Sequence, residues 1–251
     1  MTKKILLGLI VASSITSATF AQSSADKVFK TFRFSLYTGP TFNSLHPVTT
    51  TAKEGNDSYS VSKTKGNVGF SLGLQADYNI NDRYSVFSGL SLDWRGGSIA
   101  SLHDSAAISN VNYARSSNIT YKLQYLTIPI GLKMKAAQFD KLKIFAQTGI
   151  DVSVLLSAKG DYTTIDANYA LKHETKVKLS DYAKAVPVNV GWMLGVGAEY
   201  DITEKNAVYL TFLYRNGFSD VTTPKLNKDG YKFADGNIRM NTFAIRVGYY
   251  F

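Results

Sequence analysis

The fold is decided by residues 242–251, which read TFAIRVGYYF. Side chains along a β-strand point alternately to its two faces. One face of this segment therefore carries Phe, Ile, Val, Tyr and Phe, and the other carries Thr, Ala, Arg, Gly and Tyr. About ten residues are enough to cross a bilayer when the strand is tilted. Because backbone groups in lipid need hydrogen-bond partners, a spanning strand implies a closed barrel.

The beginning of the sequence predicts export. Lys3 and Lys4 precede an apolar run over residues 5–12, and small residues follow up to Ala21. This order is typical of a secretory signal peptide, and the apolar run is too short for a transmembrane anchor. The expected organisation is a signal peptide at 1–21, a short periplasmic tail at 22–30 and an outer-membrane barrel at 31–251.

The composition agrees with an exported barrel. The chain has 251 residues with 16 Tyr, 14 Phe, 19 Gly and no cysteine, so disulfides and lipoprotein anchoring are excluded. The net charge is +9. A basic balance suits nucleic acid, but an exported chain does not meet it, so no nucleic-acid partner is expected. Attraction to outer-membrane lipid and lipopolysaccharide, or simply lysines scattered over solvated loops, explains the charge.

Eight segments alternate apolar and polar residues and are predicted to be antiparallel strands. They cover residues 31–41, 67–79, 83–95, 121–134, 142–156, 185–200, 207–215 and 239–251. Three of the connections are short, and the four long ones cover residues 42–66, 96–119, 158–184 and 216–238. Short turns at one rim and long loops at the other are typical of outer-membrane barrels. We therefore predict an all-β, eight-stranded antiparallel up-and-down transmembrane β-barrel with short periplasmic turns and long extracellular loops. Around residues 58–62 the first loop is expected to extend the strands above the membrane.

The alternative to a membrane barrel is a secreted barrel with its apolar face inside. The apolar faces of the predicted strands carry no charge, and a charge there would cost about 2–4 kcal/mol at mid-bilayer. The opposite faces mix glycine with charged residues, which suits the narrow lumen of an eight-stranded barrel. The charged residues predicted to point into the lumen and form an ion-pair network are Arg33, Asp77, Asp93, Arg95, Lys133, Lys143, Asp151, Glu199, Arg215 and Arg246. Such a network either plugs the barrel or lines a narrow polar conduit.

Aromatic residues are predicted to mark the two edges of the apolar band. Tyr84 and Trp94 are ten residues apart on one face, which spans roughly 25 Å at about 3.3 Å per residue and a tilt near 40°. This is the height of the apolar band of an outer-membrane barrel. The predicted belt residues are Tyr78, Tyr84, Tyr200, Tyr249 and Phe251 at the short-turn rim, with Trp94 and Tyr214 toward the long loops.

A family resemblance is carried by the fourth predicted strand. Residues 125–133 read YLTIPIGLK and resemble the Tyr-Leu-x-Ile-Pro-Leu segment of PorT-type outer-membrane β-barrels of Bacteroidetes. Residues 89–97, GLSLDWRGG, look like that family's third strand, and the Gly-Tyr-Tyr-Phe ending fits too. The resemblance covers nearly the whole mature chain and implies an eight-stranded outer-membrane barrel, in a family whose namesake is an accessory of protein secretion. It brings no catalytic residues.

Specific roles are predicted for Phe251 and Pro129. Terminal aromatic strands are what the barrel-assembly machinery recognises in related proteins, so by resemblance Phe251 is a candidate assembly signal as well as a belt residue. Pro129 lacks the N–H that a strand ladder uses. We expect it at a bulge or a locally opened strand pair, with a kink toward the lumen.

The sequence shows little reactive chemistry. His46, His103 and His173 fall in three different predicted loops without metal-ligand spacing, and we expect them to be solvated. No catalytic residue, metal or cofactor is expected. The predicted function is a non-enzymatic outer-membrane barrel that acts as a structural, partner-binding or secretion-accessory component. The alternatives are a small passive-diffusion pore and, less favoured, a lipid-modifying enzyme with a nucleophile or acid–base group at the lipid-facing rim.

Overall fold

The protein is built almost entirely of β-strands. The computed structural model describes residues 32–54, 57–103, 116–165, 171–181, 183–203, 205–224 and 236–251. The strands are β1 (Phe32–Pro47), β2 (Thr51–Glu54), β3 (Asp57–Asn79), β4 (Tyr84–His103), β5 (Ser116–Phe139), β6 (Leu142–Ile165), β7 (Leu171–Lys178), β8 (Ala183–Ala185), β9 (Val188–Asp201), β10 (Ala207–Gly217), β11 (Thr222–Pro224) and β12 (Ile238–Tyr250). The predicted signal peptide and periplasmic tail lie outside the described residues. Within the described ranges, no helix is long and apolar enough to cross a membrane.

Eight of the described strands close into a ring. The ring order is β1, β3, β4, β5, β6, β9, β10 and β12, and every neighbouring pair is antiparallel. The ring closes where β12 pairs with β1, from Ser35 opposite Tyr250 to Pro47 opposite Ile238. Ring order follows chain order apart from the short additional strands. The predicted eight-stranded antiparallel up-and-down barrel is therefore confirmed.

Apolar side chains cover the outside of this ring. On β12 the buried positions are the even ones, from Ile238 to Tyr250, while Phe243, Val247 and Tyr249 are exposed. The other ring strands repeat this alternation, and exposed Leu, Ile, Val and Phe side chains form the outer wall. A barrel in water would not leave so large an apolar surface uncovered. The alternative of a secreted barrel with its apolar face inside is therefore wrong.

Four strands are much longer than predicted. β3 has 23 residues, β4 has 20, and β5 and β6 have 24 each, whereas β9, β10 and β12 have 14, 11 and 13. The predicted loops 42–66, 96–119 and 158–184 therefore contain much strand, and the expected extension around 58–62 is confirmed within β3. Above the membrane most outward positions are polar, so the sequence loses the apolar periodicity that marks a spanning strand and is typical of a loop.

Register shifts interrupt the β5–β6 and β3–β4 ladders in the upper half of the wall. Between β5 and β6 the register shifts between Gln124 and Tyr125, which leaves one extra residue on β6. The inward side of β6 consequently changes from odd positions such as Ser153 to even positions such as Tyr162. Two further shifts interrupt the β3–β4 ladder between Lys63 and Phe70.

Pro129 lies at a locally opened strand pair. It is buried on the lumen side of β5, and the β4–β5 ladder has no assigned partners between the pairs Ser88–Ile130 and Ser91–Thr127. The hydroxyl of Ser88 instead donates to the Pro129 carbonyl at 3.0 Å. The missing proline N–H thus falls where the ladder is interrupted.

Candidate functional site

The ten charged side chains predicted for the lumen all lie on the inner side of the wall, in two groups. With the short turns taken as the bottom, the lower charge cluster contains Arg33, Asp77, Lys133, Lys143 and Glu199, and the upper charge cluster contains Asp93, Arg95, Asp151, Arg215 and Arg246. Their positions follow from strand parity, because a residue facing inward in an eight-stranded barrel points at the strands opposite.

Lys133 is the centre of the lower charge cluster. Its Nζ lies 3.3 Å from Asp77 Oδ2 and 3.3 Å from Glu199 Oε2, and it donates to the Tyr250 hydroxyl at 2.8 Å. The Tyr250 hydroxyl in turn donates to Asp77 Oδ2 at 2.6 Å. Lys133 is only 1% exposed, and Phe145 packs its ring 4.1 Å from the ammonium. One buried cation therefore joins two carboxylates that come from opposite sides of the barrel.

Basic side chains from the bottom of the barrel complete the lower charge cluster. Arg33 Nη1 donates to Glu199 Oε1 at 2.6 Å, and its guanidinium carbon lies 4.0 Å from the centroid of the Tyr250 ring. Lys143 lies 4.0 Å from the same Glu199 oxygen and also pairs with Asp201. Every carboxylate in this cluster is thus matched by a cation, as buried charges require.

Asp93 is the centre of the upper charge cluster. It is 0% exposed and accepts hydrogen bonds from Arg95 Nη2 at 2.5 Å, Arg215 Nη1 at 2.9 Å and Ser71 Oγ at 2.6 Å. Arg95 also donates to Thr127 Oγ1 at 3.1 Å and lies 3.9 Å from Asp151 Oδ2. A single carboxylate therefore joins β3, β4 and β10 across the lumen.

Positive charge exceeds negative charge in the upper cluster. Arg95, Arg215 and Arg246 face two carboxylates, and among the described residues no carboxylate lies within ion-pair distance of Arg246. Its guanidinium carbon instead lies 4.3 Å from the centroid of the Tyr37 ring. The Nε and Nη2 atoms of both Arg215 and Arg246 are buried without a hydrogen-bond partner in the described part of the protein. Arg246 is therefore a buried cation without an ion pair among the described residues.

An apolar core that was not predicted from the sequence fills the barrel above the two charge clusters. Its buried members include Leu45, Val61, Ile99, Ile119, Tyr121, Leu123, Tyr162, Ile238 and Met240. The signal was present in β5, where Ile119, Tyr121 and Leu123 alternate with polar residues on the inward parity. β5 begins at Ser116, five residues before the predicted strand, so part of this alternation lies in a segment predicted to be loop. The interior is thus occupied at three successive levels.

The predicted belt aromatics all lie on the outer wall. The seven residues are between 37% and 59% exposed, with Tyr214 the least and Phe251 the most exposed. At the upper level, Trp94 packs against Phe70 at 6.2 Å between ring centroids, and Tyr214 against Trp192 at 5.7 Å. Amphipathic rings at the interface of lipid and water are typical of outer-membrane barrels.

The three histidines lie on strands instead of in loops. His46 and His173 are exposed on β1 and β7, where their rings hydrogen-bond with Ser44 at 3.0 Å and Thr163 at 2.8 Å. His103 is only 6% exposed and packs edge-on against Tyr59 at 5.0 Å. The expectation that all three are solvated is therefore wrong for His103, because the lengthened β4 carries it into the apolar interior.

The contact nearest to a catalytic arrangement is the Ser44–His46 pair on the outer wall. Partial desolvation of the exposed ring, followed by the charge of Lys63, lowers the pKa of His46, which keeps its ring neutral at pH 7. A nucleophile and a base, however, also need a group that orients the base. Among the described residues, no carboxylate hydrogen-bonds to His46, and none of the His, Asp and Glu side chains there are grouped to hold a metal ion.

Comparison with known proteins gives the family. The family model described as "Outer membrane protein beta-barrel domain" matches residues 20–223. No curated protein matches the sequence. Similar solved structures include the attachment invasion locus protein Ail of Yersinia pestis, with 11% identity, coverage of 87% of this chain and 98% of Ail, and a TM-score of 0.36. Neisserial surface protein A has 12% identity, coverage of 86% and 95%, and a TM-score of 0.40. The outer membrane protease OmpT of Escherichia coli has 11% identity, coverage of 88% and 96%, and a TM-score of 0.48.

These structural neighbours have different names and roles, and at such identities they do not indicate what this chain does. The family match covers most of the sequence, including every strand that carries the two charge clusters except β12, which carries Arg246. The chain belongs to the outer membrane protein β-barrel domain family, and its place is the bacterial outer membrane.

Proposed function

We propose that this protein is a shut, non-enzymatic barrel that acts through its long-loop end as a structural or partner-binding component. The observation that carries the proposal is the filled interior: the lower charge cluster, the upper charge cluster and the apolar core follow one another along the axis. Eight strands leave an interior that side chains are able to fill. A secretion-accessory role, which the PorT resemblance implies, is one form of this function.

The height of the wall supports action at the long-loop end. β3 to β6 continue well above the level of Trp94, and β5 reaches Ser116 at its upper end. Leu102 and Leu171 expose large apolar side chains near the top, at 55% and 69% exposure. Exposed apolar residues on a rigid scaffold are typical of contact sites for a partner.

The shut lumen is tested by electrical recording. We expect the purified protein to give no single-channel steps in planar bilayers in 1 M KCl, because buried ion pairs and apolar side chains occupy the path. A general porin, incorporated by the same procedure, is the positive control for insertion. Steps whose size rises in proportion to salt concentration would establish the small passive-diffusion pore instead.

The site of action is tested by crosslinking in cells. A photoreactive amino acid in place of Leu171 is expected to form adducts with a surface or secretion partner, while the same residue in place of Phe139 is expected to form none. Phe139 is 65% exposed and lies beside the turn between β5 and β6, at the opposite end of the barrel. Adducts confined to Phe139, or absent at both positions, would contradict action at the long-loop end.

A further inference from the structure

A groove lies on the outer wall where β3, β4, β5, β6 and β7 pass the upper aromatic level. It has a volume of about 330 Å³, and Val68, Trp94, Lys122, Gln124, Lys159 and Lys176 are among the residues that line it. The register places Trp94 opposite Gln124 and Lys122 opposite Lys159, so the groove runs across neighbouring strands at one height. The interruption of the β3–β4 ladder before Phe70 lies at its edge.

The chemistry of the wall changes at this height. Immediately below it, the outward side chains of Leu72, Leu156 and Val154 are apolar and between 40% and 52% exposed. At the groove and above it, the outward positions of β5 and β6 are Gln124, Lys122, Ser157 and Lys159. The groove therefore has an apolar lower edge and a basic upper edge, and it lies where hydrocarbon gives way to lipid head groups.

Three lysines lie in register along the upper edge of the groove. Lys122 on β5 is directly opposite Lys159 on β6, and Lys159 is directly opposite Lys178 on β7. All three are exposed on the same outer face. Like charges directly opposite each other destabilise a sheet. A bound anion would offset the repulsion among these lysines, so the row suits an anion-binding surface.

One carboxylate compensates only part of this charge. Asp161 accepts a hydrogen bond from Lys122 Nζ at 2.5 Å and another from the backbone N–H of Lys176 at 2.9 Å. These two hydrogen bonds, the one from Lys122 first, lower the pKa of Asp161, so its carboxylate is ionised at neutral pH. Asp161 pairs with the ammonium group of Lys122. It does not neutralise the side-chain charges of Lys159, Lys176 and Lys178, which face the head-group region.

We propose that this groove binds the phosphate groups of a lipid A-type glycolipid in the outer leaflet. The long loops face outward, so the groove opens toward that leaflet. Trp94 and Val68 offer a surface for the glycolipid's acyl chains and sugar edge, and the lysine row offers the positive charge that its phosphates need. The inference is independent of whether the lumen conducts.

The test compares two variants with equal charge changes. Lys159→Gln/Lys178→Gln removes two positive charges from the row, and Lys141→Gln/Lys205→Gln removes two from the short-turn rim. Binding of hexaacylated diphosphoryl lipid A to the purified, folded protein in detergent is measured by native mass spectrometry. We expect at least tenfold weaker binding in the first variant and a change of less than twofold in the second.

Two further comparisons determine which property of the lipid is recognised. Lys159→Arg/Lys178→Arg keeps the charge and is expected to retain binding, and monophosphoryl lipid A is expected to bind several-fold more weakly to the wild type. The proposal fails if the first glutamine variant binds as the wild type does, or if both glutamine variants lose binding equally. Equal binding of phosphatidylglycerol and diphosphoryl lipid A would assign the groove to anionic phospholipid and overturn the choice of glycolipid.

Discussion

Replacing Asp93 by alanine is expected to lower the free energy of unfolding by about 3–5 kcal/mol, because removing one partner of a buried ion pair leaves the other charge uncompensated. The loss is expected at the upper end of this range, since Arg95 and Arg215 both donate to this carboxylate. The measurement is urea unfolding in lipid vesicles, followed by the shift in electrophoretic mobility between folded and unfolded barrel.

Two controls separate this electrostatic effect from a packing effect. Asp82→Ala makes the same chemical change at an exposed position in the turn between β3 and β4 and is expected to alter stability by less than about 0.5 kcal/mol. Asp93→Ala/Arg215→Met removes one of the stranded cations together with the carboxylate and is expected to recover part of the loss. If the double variant is no more stable than Asp93→Ala, uncompensated charge is not the cause.

The same substitution is expected to cost much stability at Lys133 and little or none at Arg246. Lys133→Met leaves Asp77 and Glu199 buried without their shared cation and is expected to lower the free energy of unfolding by about 3 kcal/mol or more. Arg246→Met removes a buried cation that has no ion pair among the described residues, so stability is expected to stay within about 1 kcal/mol or to rise.

The two methionine variants are best measured side by side in the same vesicles. Both lie on the inner face of the wall, both are almost fully buried, and both exchange a long basic chain for a long apolar one. Equal losses of stability in the two variants would mean that packing of the chain, and not compensation of its charge, determines the effect.

The membrane-spanning part of the fold was predictable from sequence because lipid imposes a strict rule. Each spanning strand must present apolar residues at every second position, and residues such as Leu72 and Val247 report this directly. Above the membrane the rule no longer applies. Outward residues such as Asn118 on β5 and Lys159 on β6 are polar, so the upper ends of these strands are typical of loops in sequence although their backbones continue the ladder.

Parity likewise gives the side of the wall on which a charge lies, but not the partner that it meets. Lys133 and Glu199 are far apart in the chain, and so are Asp93 and Arg215. Their contacts depend on the registers of several intervening strands, and bulges shift those registers by amounts that the sequence does not display. The lysine row across β5, β6 and β7 was not foreseen for the same reason, since it exists only in one register.

Because the strands differ in length, the long-loop end of the barrel wall is taller on one side than on the other. The half of the wall built from β3 to β6 stands tall, while β9, β10 and β12 end much lower. Because one side of the wall is taller than the other, a partner that approaches from outside the cell meets different surfaces on the two sides of the barrel. Two copies rotated differently about the barrel axis would therefore present different surfaces to the same partner. Recognition at the long-loop end thus depends on the direction of approach as well as on the residues exposed there.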